Sequence, residues 1–544
     1  MAKGLLISYG GYPYALSSFF PDNGLASLAA VLRAEGHEAE ILDYNTAETA
    51  SRIVDAQSRE RLTSLLPSVA EGRAEDCADA LVSIAEALDA NGKRSAHDVA
   101  LGLAARCARE QIDFVGFKLW SGDGFEASVH MAEVIRAACP KVKLFAGGPA
   151  VHWCGDVVLE EAPVFDAVVD GDGEPAIAEL ARFAEGRRSL DTIPNLLRPS
   201  GDDTREPVYA DLAALPLPDY GRDVYPALWD GSKIKLVSLD ESRGCPMRCA
   251  FCVNRHIAGA SWRTRTAAKV VEEMESLRSE LGTRAFRMAG TYSDPRLVRA
   301  VCEAVIKKKL DVEFGLFLNA GGVTEELVAL LKAAGCFGVF FGVESGSDAI
   351  LKEAMHKPLS TERVRRALKT TRDAGLFTAG SFIFPAPFET AETEEQTKRL
   401  MEDVLVGHAR TSVLIIPPGL LPRTQWWQER SRFGFELEVD EVSYRKRMLR
   451  YKIRHILPAS LWESLPYRLG GQRSIELARR AAGLQAWARS VGLCVNLPDH
   501  DAQIGAAVRL APRELQGEIQ RALFAGAADR LQDLVSAANQ GFAP

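Results

Sequence analysis

Two kinds of apolar spacing alternate along the first third of the chain. Short runs rich in Val, Ile and Phe at 4–9, 38–43, 114–119, 143–147 and 167–170 have the length of buried strands. Between them apolar residues recur every three or four positions. In 24–34, Leu25, Leu28, Ala29 and Leu32 fall on one helical face, and Gly36 follows where the helix should stop. Strands alternating with amphipathic helices imply right-handed crossovers, hence a parallel, doubly wound α/β sheet over 1–185. The Ala-rich, charge-rich stretch between Thr46 and Glu110 is longer than one crossover needs, so an inserted helical element is expected beside the sheet. Pro194, Pro199, Pro207, Pro216, Pro218 and Pro226 then arrive with Gly201, Gly221 and Gly231, which makes 186–232 an extended linker or strap.

The alternation resumes at 233. Strand patterns at 235–241, 284–288, 313–319, 337–343, 377–384 and 411–416 are separated by amphipathic helices such as 267–281, 296–308, 325–334 and 361–374. Six βα units are too few to close an eight-stranded barrel, so 233–420 is expected as a partial barrel. Past about 420 the strand pattern ends and 421–544 reads as a helical C-terminal domain, with Trp426, Trp427, Trp462 and Trp487. Its basic run, 444–455, is expected as a solvated amphipathic helix on the barrel; contact with an anionic substrate or a membrane surface is the alternative.

Composition narrows the class. The 544 residues are 47% hydrophobic and 25% charged, ordinary for a globular protein with a large core. A net charge of −8 argues against a nucleic-acid binder built on phosphate contacts. No apolar run reaches the roughly 18 residues of a membrane span. The apolar N-terminus is broken by Gly10, Gly11 and Pro13 with no cleavage pattern after it, so it is expected as the first strand of a cytoplasmic protein. In a reducing compartment the ten cysteines are core packing, metal ligands or reactive thiols.

Seven cysteines are scattered, but Cys245, Cys249 and Cys252 fall within Arg243-Gly-Cys-Pro-Met-Arg-Cys-Ala-Phe-Cys, directly after the first strand of the second βα series. Three thiolates on one tight loop suit an iron–sulfur cube with one iron left open to a small chelator. Structural zinc, with His256 as fourth ligand, and plain packing are the alternatives. The rim at the carboxyl ends of barrel strands is where such folds place chemistry, which favours the cluster.

This loop resembles the signature of radical S-adenosylmethionine (SAM) enzymes, including Phe251 before the last cysteine. The resemblance continues through Trp262-Arg-Thr-Arg and through Gly335-Cys-Phe-Gly-Val-Phe-Phe-Gly-Val-Glu-Ser-Gly-Ser. It implies a partial (βα)6 barrel, a [4Fe-4S] cluster on the three cysteines, and SAM chelating the open iron. By position it implies Glu344 and Ser345 at the ribose or methionine part, Phe251 near the adenine, and Ala289, Gly290 and Thr291 along the methionine moiety. Read alone, Glu344-Ser-Gly-Ser is also a helix cap. Two departures fall near the expected substrate cavity: Pro385 stands where Gly is usual, and the second strand's end lacks acidic residues.

In the first domain, Gly147-Gly148-Pro149 and Gly171-Asp-Gly173-Glu174 follow successive strands, where doubly wound sheets bind ligands. No Gly-x-Gly-x-x-Gly follows the first strand, which argues against a nicotinamide site. This domain resembles the cobalamin-binding domain of a large radical SAM subclass. The cobalt-ligating Asp-x-His-x-x-Gly loop is absent, His37 and His152 included, so cobalamin without a histidine lower ligand is expected; loss of cobalamin binding is the alternative. Cys77, Cys107 and Cys139 invite comparison with a second cluster but lie in helical patterns and are expected as packing, as are Cys336 and Cys494.

The resemblance implies a methyltransferase acting on an unactivated carbon of a small molecule or peptide, with a flavodoxin- or ferredoxin-type electron donor. A ring-closing or oxidising enzyme without methyl transfer, and a non-catalytic cobalamin or redox sensor, are the alternatives. No side chain stands out as a general base; Tyr292, and less so Tyr12, are candidates for the substrate cavity.

Overall fold

The computed structural model describes residues 1–70, 73–198, 206–259, 261–452, 457 and 462–544. Pro199 and Gly201 of the strap, residues 453–455 of the basic run and the side chain of His256 lie outside the described residues. The chain forms two units: Met1–Ile234 with Asp440–Leu465 and Ile519–Ser536, and Lys235–Val439 with Pro466–Glu518 and Ala537–Pro544.

In the first unit, strands β1 (Lys3–Ser8), β2 (Glu38–Asp43), β3 (Phe114–Lys118), β4 (Lys143–Gly147) and β5 (Ala167–Val168) form one parallel sheet in the order β2-β1-β3-β4-β5. This is the doubly wound sheet that the alternation predicts. Helices on both faces explain why β1 and β3 are apolar almost throughout. Leu5, Ile7, Val115, Phe117, Met131, Ile135 and Leu144 share one core, which Leu449 from the tail joins. The expected insert is present as helices Ala47–Ile53, Ala56–Ala70 and Ala78–Glu110. It has a core of its own, in which Ile53, Leu62, Leu81 and Ile84 meet Leu457 and Phe524. Tyr12 is part of this packing: its hydroxyl donates to the Leu523 carbonyl at 2.5 Å, so it is a structural tyrosine.

The strap ends pinned to the sheet. The Ile41 amide donates to the Val224 carbonyl at 2.6 Å, and the Tyr225 hydroxyl donates to Asp43. Lys233 is fully buried, with Nζ 2.8 Å from the Asp43 carboxylate and 3.1 Å from the carbonyls of Ser18 and Asn45.

The basic run corrects one expectation: helix Glu441–Leu449 packs in the first unit, and not on the barrel. Arg445 pairs with Asp156, Lys446 with Glu160 at 2.9 Å, Arg450 with Glu161 at 2.7 Å, and Lys452 with Glu126 at 2.8 Å. These acidic partners lie roughly 290 to 330 residues upstream, and they occupy charges that the run alone offers to an anion or a membrane.

In the second unit, β6 (Val237–Leu239), β7 (Ala285–Met288), β8 (Glu313–Phe317), β9 (Cys336–Glu344), β10 (Phe377–Ile383), β11 (Thr411–Ile416) and β12 (Cys494–Val495) pair in parallel, in chain order. All six expected strands are present; β12, from the tail, is a seventh. Arg287 of β7 reaches Asp499, whose carboxylate is fully buried at the start of helix Asp499–Ala507, with Nη2 3.0 Å from Oδ1. A Cβ on Gly315 of β8 would lie 2.5 Å from that carboxylate, so the close approach needs glycine there. The tail is helical over 474–490, 499–507, 512–524 and 528–541, and it also holds a three-stranded sheet of Phe435–Leu437, Tyr467–Leu469 and Gln472–Arg473. Strands of two or three residues are too short to show a period of two, which is why the tail reads as helical only. Among the described residues no helix is long and apolar enough to cross a membrane.

Candidate functional site

A short hairpin, Ser242–Arg243 paired antiparallel with Arg263–Thr264, closes the base of the three-cysteine loop just beyond β6. Gly244 has φ +82°, and a Cβ there would lie 2.0 Å from the Ser261 carbonyl oxygen, so the turn into the loop admits only glycine. The Cys245 amide donates to the Gly259 carbonyl and the Cys252 amide to the Cys249 carbonyl, at 3.3 and 3.2 Å. From outside, the Ala250 amide donates to the Met355 carbonyl and its carbonyl accepts from the Trp426 amide, both at 2.9 Å. Phe251 packs on buried Trp426, with ring centroids 5.8 Å apart.

All three thiols are half-buried. Burial raises the pKa of each, that of Cys249 to about 12; repulsion from Cys245 raises those of Cys249 and Cys252 further, and Cys252 does the same to Cys249. Buried, mutually repelling thiols are poor free nucleophiles at neutral pH. Iron supplies the positive charge that holds them as thiolates, so the donor set fits a cluster. Among the described residues no group of three or more His, Cys, Asp or Glu is gathered for a single metal ion.

Glu344 ends β9 with φ +71°, and Ser345 follows it. Ser345 Oγ accepts from the Ser347 amide at 3.2 Å and lies 3.4 Å from Thr397 Oγ1; this is a local turn and not the expected helix cap, since the helical turn Ile350–Ala354 has no side-chain hydrogen bond at its cap. Glu344 is buried and its Oε1 accepts from Lys357 Nζ at 2.8 Å. Lys357 escapes sequence reasoning: one lysine in a polar stretch reads as a solvated charge.

Ala289, Gly290 and Thr291 follow β7 and are tied to the base of the cysteine loop. Glu241 Oε2 accepts from the Gly290 amide at 2.8 Å and Oε1 from the Ser293 hydroxyl at 2.7 Å. The Thr291 amide donates to the Ser242 carbonyl at 3.0 Å, and a Cβ on Gly290 would lie 2.5 Å from the Glu241 carboxylate. Tyr292 is half-buried beside Trp262, and its carbonyl accepts from Trp262 Nε1 at 2.8 Å. Glu241 thus joins two segments that spacing alone treats separately.

Burial pushes the Glu241 carboxyl up to about 7 from about 4.5. The folded carboxyl therefore keeps its proton where the unfolded one has lost it. Its contribution to stability falls as pH rises from about 4.5 to about 7 and is level above that, a loss of roughly 3 kcal/mol. In urea titrations of the cluster-free protein, Glu241→Gln should lose less stability than the parent between pH 5 and pH 8. Equal losses in both would refute this.

In the first unit, Gly147 ends β4, Gly148 and Pro149 open helix Pro149–Cys154, and Gly171 follows β5. Gly148 and Gly171 both have φ +106°; a Cβ on Gly148 would lie 3.1 Å from the Lys118 side chain and 3.2 Å from the Leu119 amide nitrogen. Gly173 and Glu174 open helix Glu174–Ala184, where buried Glu174 accepts from the Ser27 hydroxyl at 2.8 Å. The carboxyl ends of β4 and β5 thus carry glycines at 147, 148 and 171, beside the His152–Asp170 pair. His37, before β2, accepts from the Ala2 amide with Nδ1 at 3.1 Å, at the opposite edge; His152 pairs with Asp170, its Nδ1 2.9 Å from Oδ1.

The Radical SAM superfamily matches residues 242–401. An uncharacterized methyltransferase of Pyrococcus horikoshii is 29% identical over 325 residues, 58% of this chain and 69% of that protein. An anaerobic magnesium-protoporphyrin IX monomethyl ester cyclase of Rubrivivax gelatinosus is 28% identical, over 50% of this chain and 51% of its own length. Among solved structures, the radical SAM methyltransferase TsrM of Kitasatospora setae, with cobalamin and a [4Fe-4S] cluster bound, shares the fold: the TM-score is 0.65 at 16% identity, over 97% of this chain and 99% of that one.

Proposed function

We propose, from the match of residues 242–401 to the radical SAM superfamily, that this chain is a cobalamin-dependent radical SAM methyltransferase acting on an unactivated carbon of a small molecule or peptide. The observation that carries the reading is the pairing, in one chain, of a three-thiol loop on the rim of a partial barrel with a doubly wound sheet whose strands β4 and β5 lead into glycines. The likeness to TsrM along nearly the whole chain supports it.

In this reading Cys245, Cys249 and Cys252 hold a [4Fe-4S] cluster. Phe251, Ala289, Gly290, Thr291, Glu344 and Ser345 contact SAM, and Gly147, Gly148, Pro149 and Gly171 receive cobalamin. When bound, these groups supply a carbon-centred radical that takes a substrate hydrogen, and a methyl group for the carbon left behind. The chain's own part is to bind, orient and exclude water. Trp426 braces the cysteine loop, Glu241 fixes the 289–293 turn, and Lys357 and Thr397 hold Glu344 and Ser345 in place. Glu174 is spent on Ser27 and Tyr292 remains a candidate for the substrate cavity. A low-potential one-electron donor of flavodoxin or ferredoxin type is the implied partner. The ten free cysteines suit a reducing compartment, and we place the protein in the cytoplasm.

Purified with cobalamin and reconstituted with iron and sulfide, the protein should show corrinoid absorption. With SAM and a reductant, without oxygen, it should release 5′-deoxyadenosine. Cob(II)alamin in it should show no nitrogen splitting in its paramagnetic resonance spectrum, and His152→Ala should leave that spectrum unchanged; splitting in the parent that vanishes in the variant would assign His152 as lower ligand. Absence of corrinoid absorption would sink the cobalamin reading. The cyclase relative favours a second reading, ring closure without methyl transfer, and product mass separates them: methylation adds one CH2 unit.

A further inference from the structure

Beyond holding Glu344, Lys357 has surroundings unusual for a lysine. Its ammonium is nine-tenths buried, donates to Glu344 Oε1 at 2.8 Å and reaches the Gly342 carbonyl at 2.5 Å. The segment that carries it is clamped to the cysteine loop from two sides. The Met355 carbonyl accepts from the Ala250 amide at 2.9 Å, and Trp426 bridges the same parts, its Nε1 donating to the Ala354 carbonyl at 2.8 Å and its amide to Ala250. The Lys357 amide itself donates to the Leu351 carbonyl at 2.8 Å, which fixes where the side chain starts. The charge is felt by the sulfurs: Lys357 favours the ionised form of Cys245, Cys249 and Cys252 alike. Glu344 opposes it at Cys249, where the lysine prevails, and at Cys252, where the carboxylate does.

An ammonium removed from water must be repaid by strong local charge. One carboxylate supplies part of that. A cluster held by three thiolates carries net negative charge, and accepting one electron from a low-potential donor makes it more negative by one. Net charge near a cluster is a recognised lever on its potential. Resting on the assignment of the three thiols to a cluster, we propose that Lys357 is the charge-compensating residue of this site, offsetting the negative charge of the cluster and so setting the potential at which it accepts an electron. Glu344 acts in the opposite sense and holds the ammonium in place.

The test is a redox titration of the reconstituted protein without SAM, followed by paramagnetic resonance, with iron and sulfide measured first. Lys357→Met should lower the midpoint potential by at least about 59 mV, a tenfold change in the reduced-to-oxidised ratio for one electron. Glu344→Gln should raise it, and Lys357→Arg should stay near the parent. A midpoint unchanged in Lys357→Met at full iron content overturns the inference. Should that variant take up no iron, Glu344→Gln carries the test, and an unchanged or lowered midpoint there overturns it equally. A parent protein that binds no cluster overturns the underlying assignment instead, so the two failures are distinguishable.

Discussion

Cys249→Ala, reconstituted with iron and sulfide, should hold little iron and release no 5′-deoxyadenosine above background from SAM and a reductant. Cys249 is the middle ligand of the loop, where burial and its two neighbours all push the thiol up. Two remaining thiols cannot hold a cube that already leaves one iron open. The backbone should survive, because the loop is fixed by Gly244 at its entry and by Met355 and Trp426 from outside, none of which uses the Cys249 side chain. An unchanged far-ultraviolet dichroism spectrum would separate loss of the cluster from loss of the fold. Retained cleavage of SAM would refute the ligand assignment.

Lys233→Met should cost the first unit about 3–5 kcal/mol, the usual penalty for removing one partner of a buried ion pair. The side chains of Lys233 and Asp43 are 0% and 1% exposed, so the carboxylate left behind has no water to turn to. Tyr225 still donates to it, which keeps the loss from being larger. The same lysine satisfies the carbonyls of Ser18 and Asn45, and both would be orphaned. Thermal unfolding should shift down by on the order of 10 °C. A Lys233→Met, Asp43→Leu double variant should recover part of the loss, because removing both charges abolishes the uncompensated one. A single variant as stable as the parent would show that the pair contributes nothing.

What could be read from the chain divides by range. The strands of both sheets were legible because Val, Ile and Phe runs carry their own signal, and helix 267–281 begins and ends in the structure where the pattern places it. The cysteine loop was legible for the same reason, with three donors inside eight residues. Glu241 and Lys357 were not. Each is an ordinary charged residue whose meaning comes from what folds over it: Gly290 and Ser293 for one, Glu344 and the cysteine loop for the other. The basic helix was legible as a helix but not as to its place, since Asp156, Glu160 and Glu161 are distant in sequence. β12 has two residues and pairs only because β11 offers an open edge.

The way the tail is shared between the two units bears on how the protein is made. Translation delivers the N-terminal sheet first, but its helical insert lacks Leu457 and Phe524, and Tyr12 lacks the Leu523 carbonyl, until those residues have been made. The barrel waits as well: the Lys235 amide finds Asn539, and the Arg284 amide finds the Phe542 carbonyl, only once those distant residues have been made. Neither unit is complete when its own main segment has been made. Partly closed sheets must therefore stay soluble in the nascent chain until these distant partners arrive.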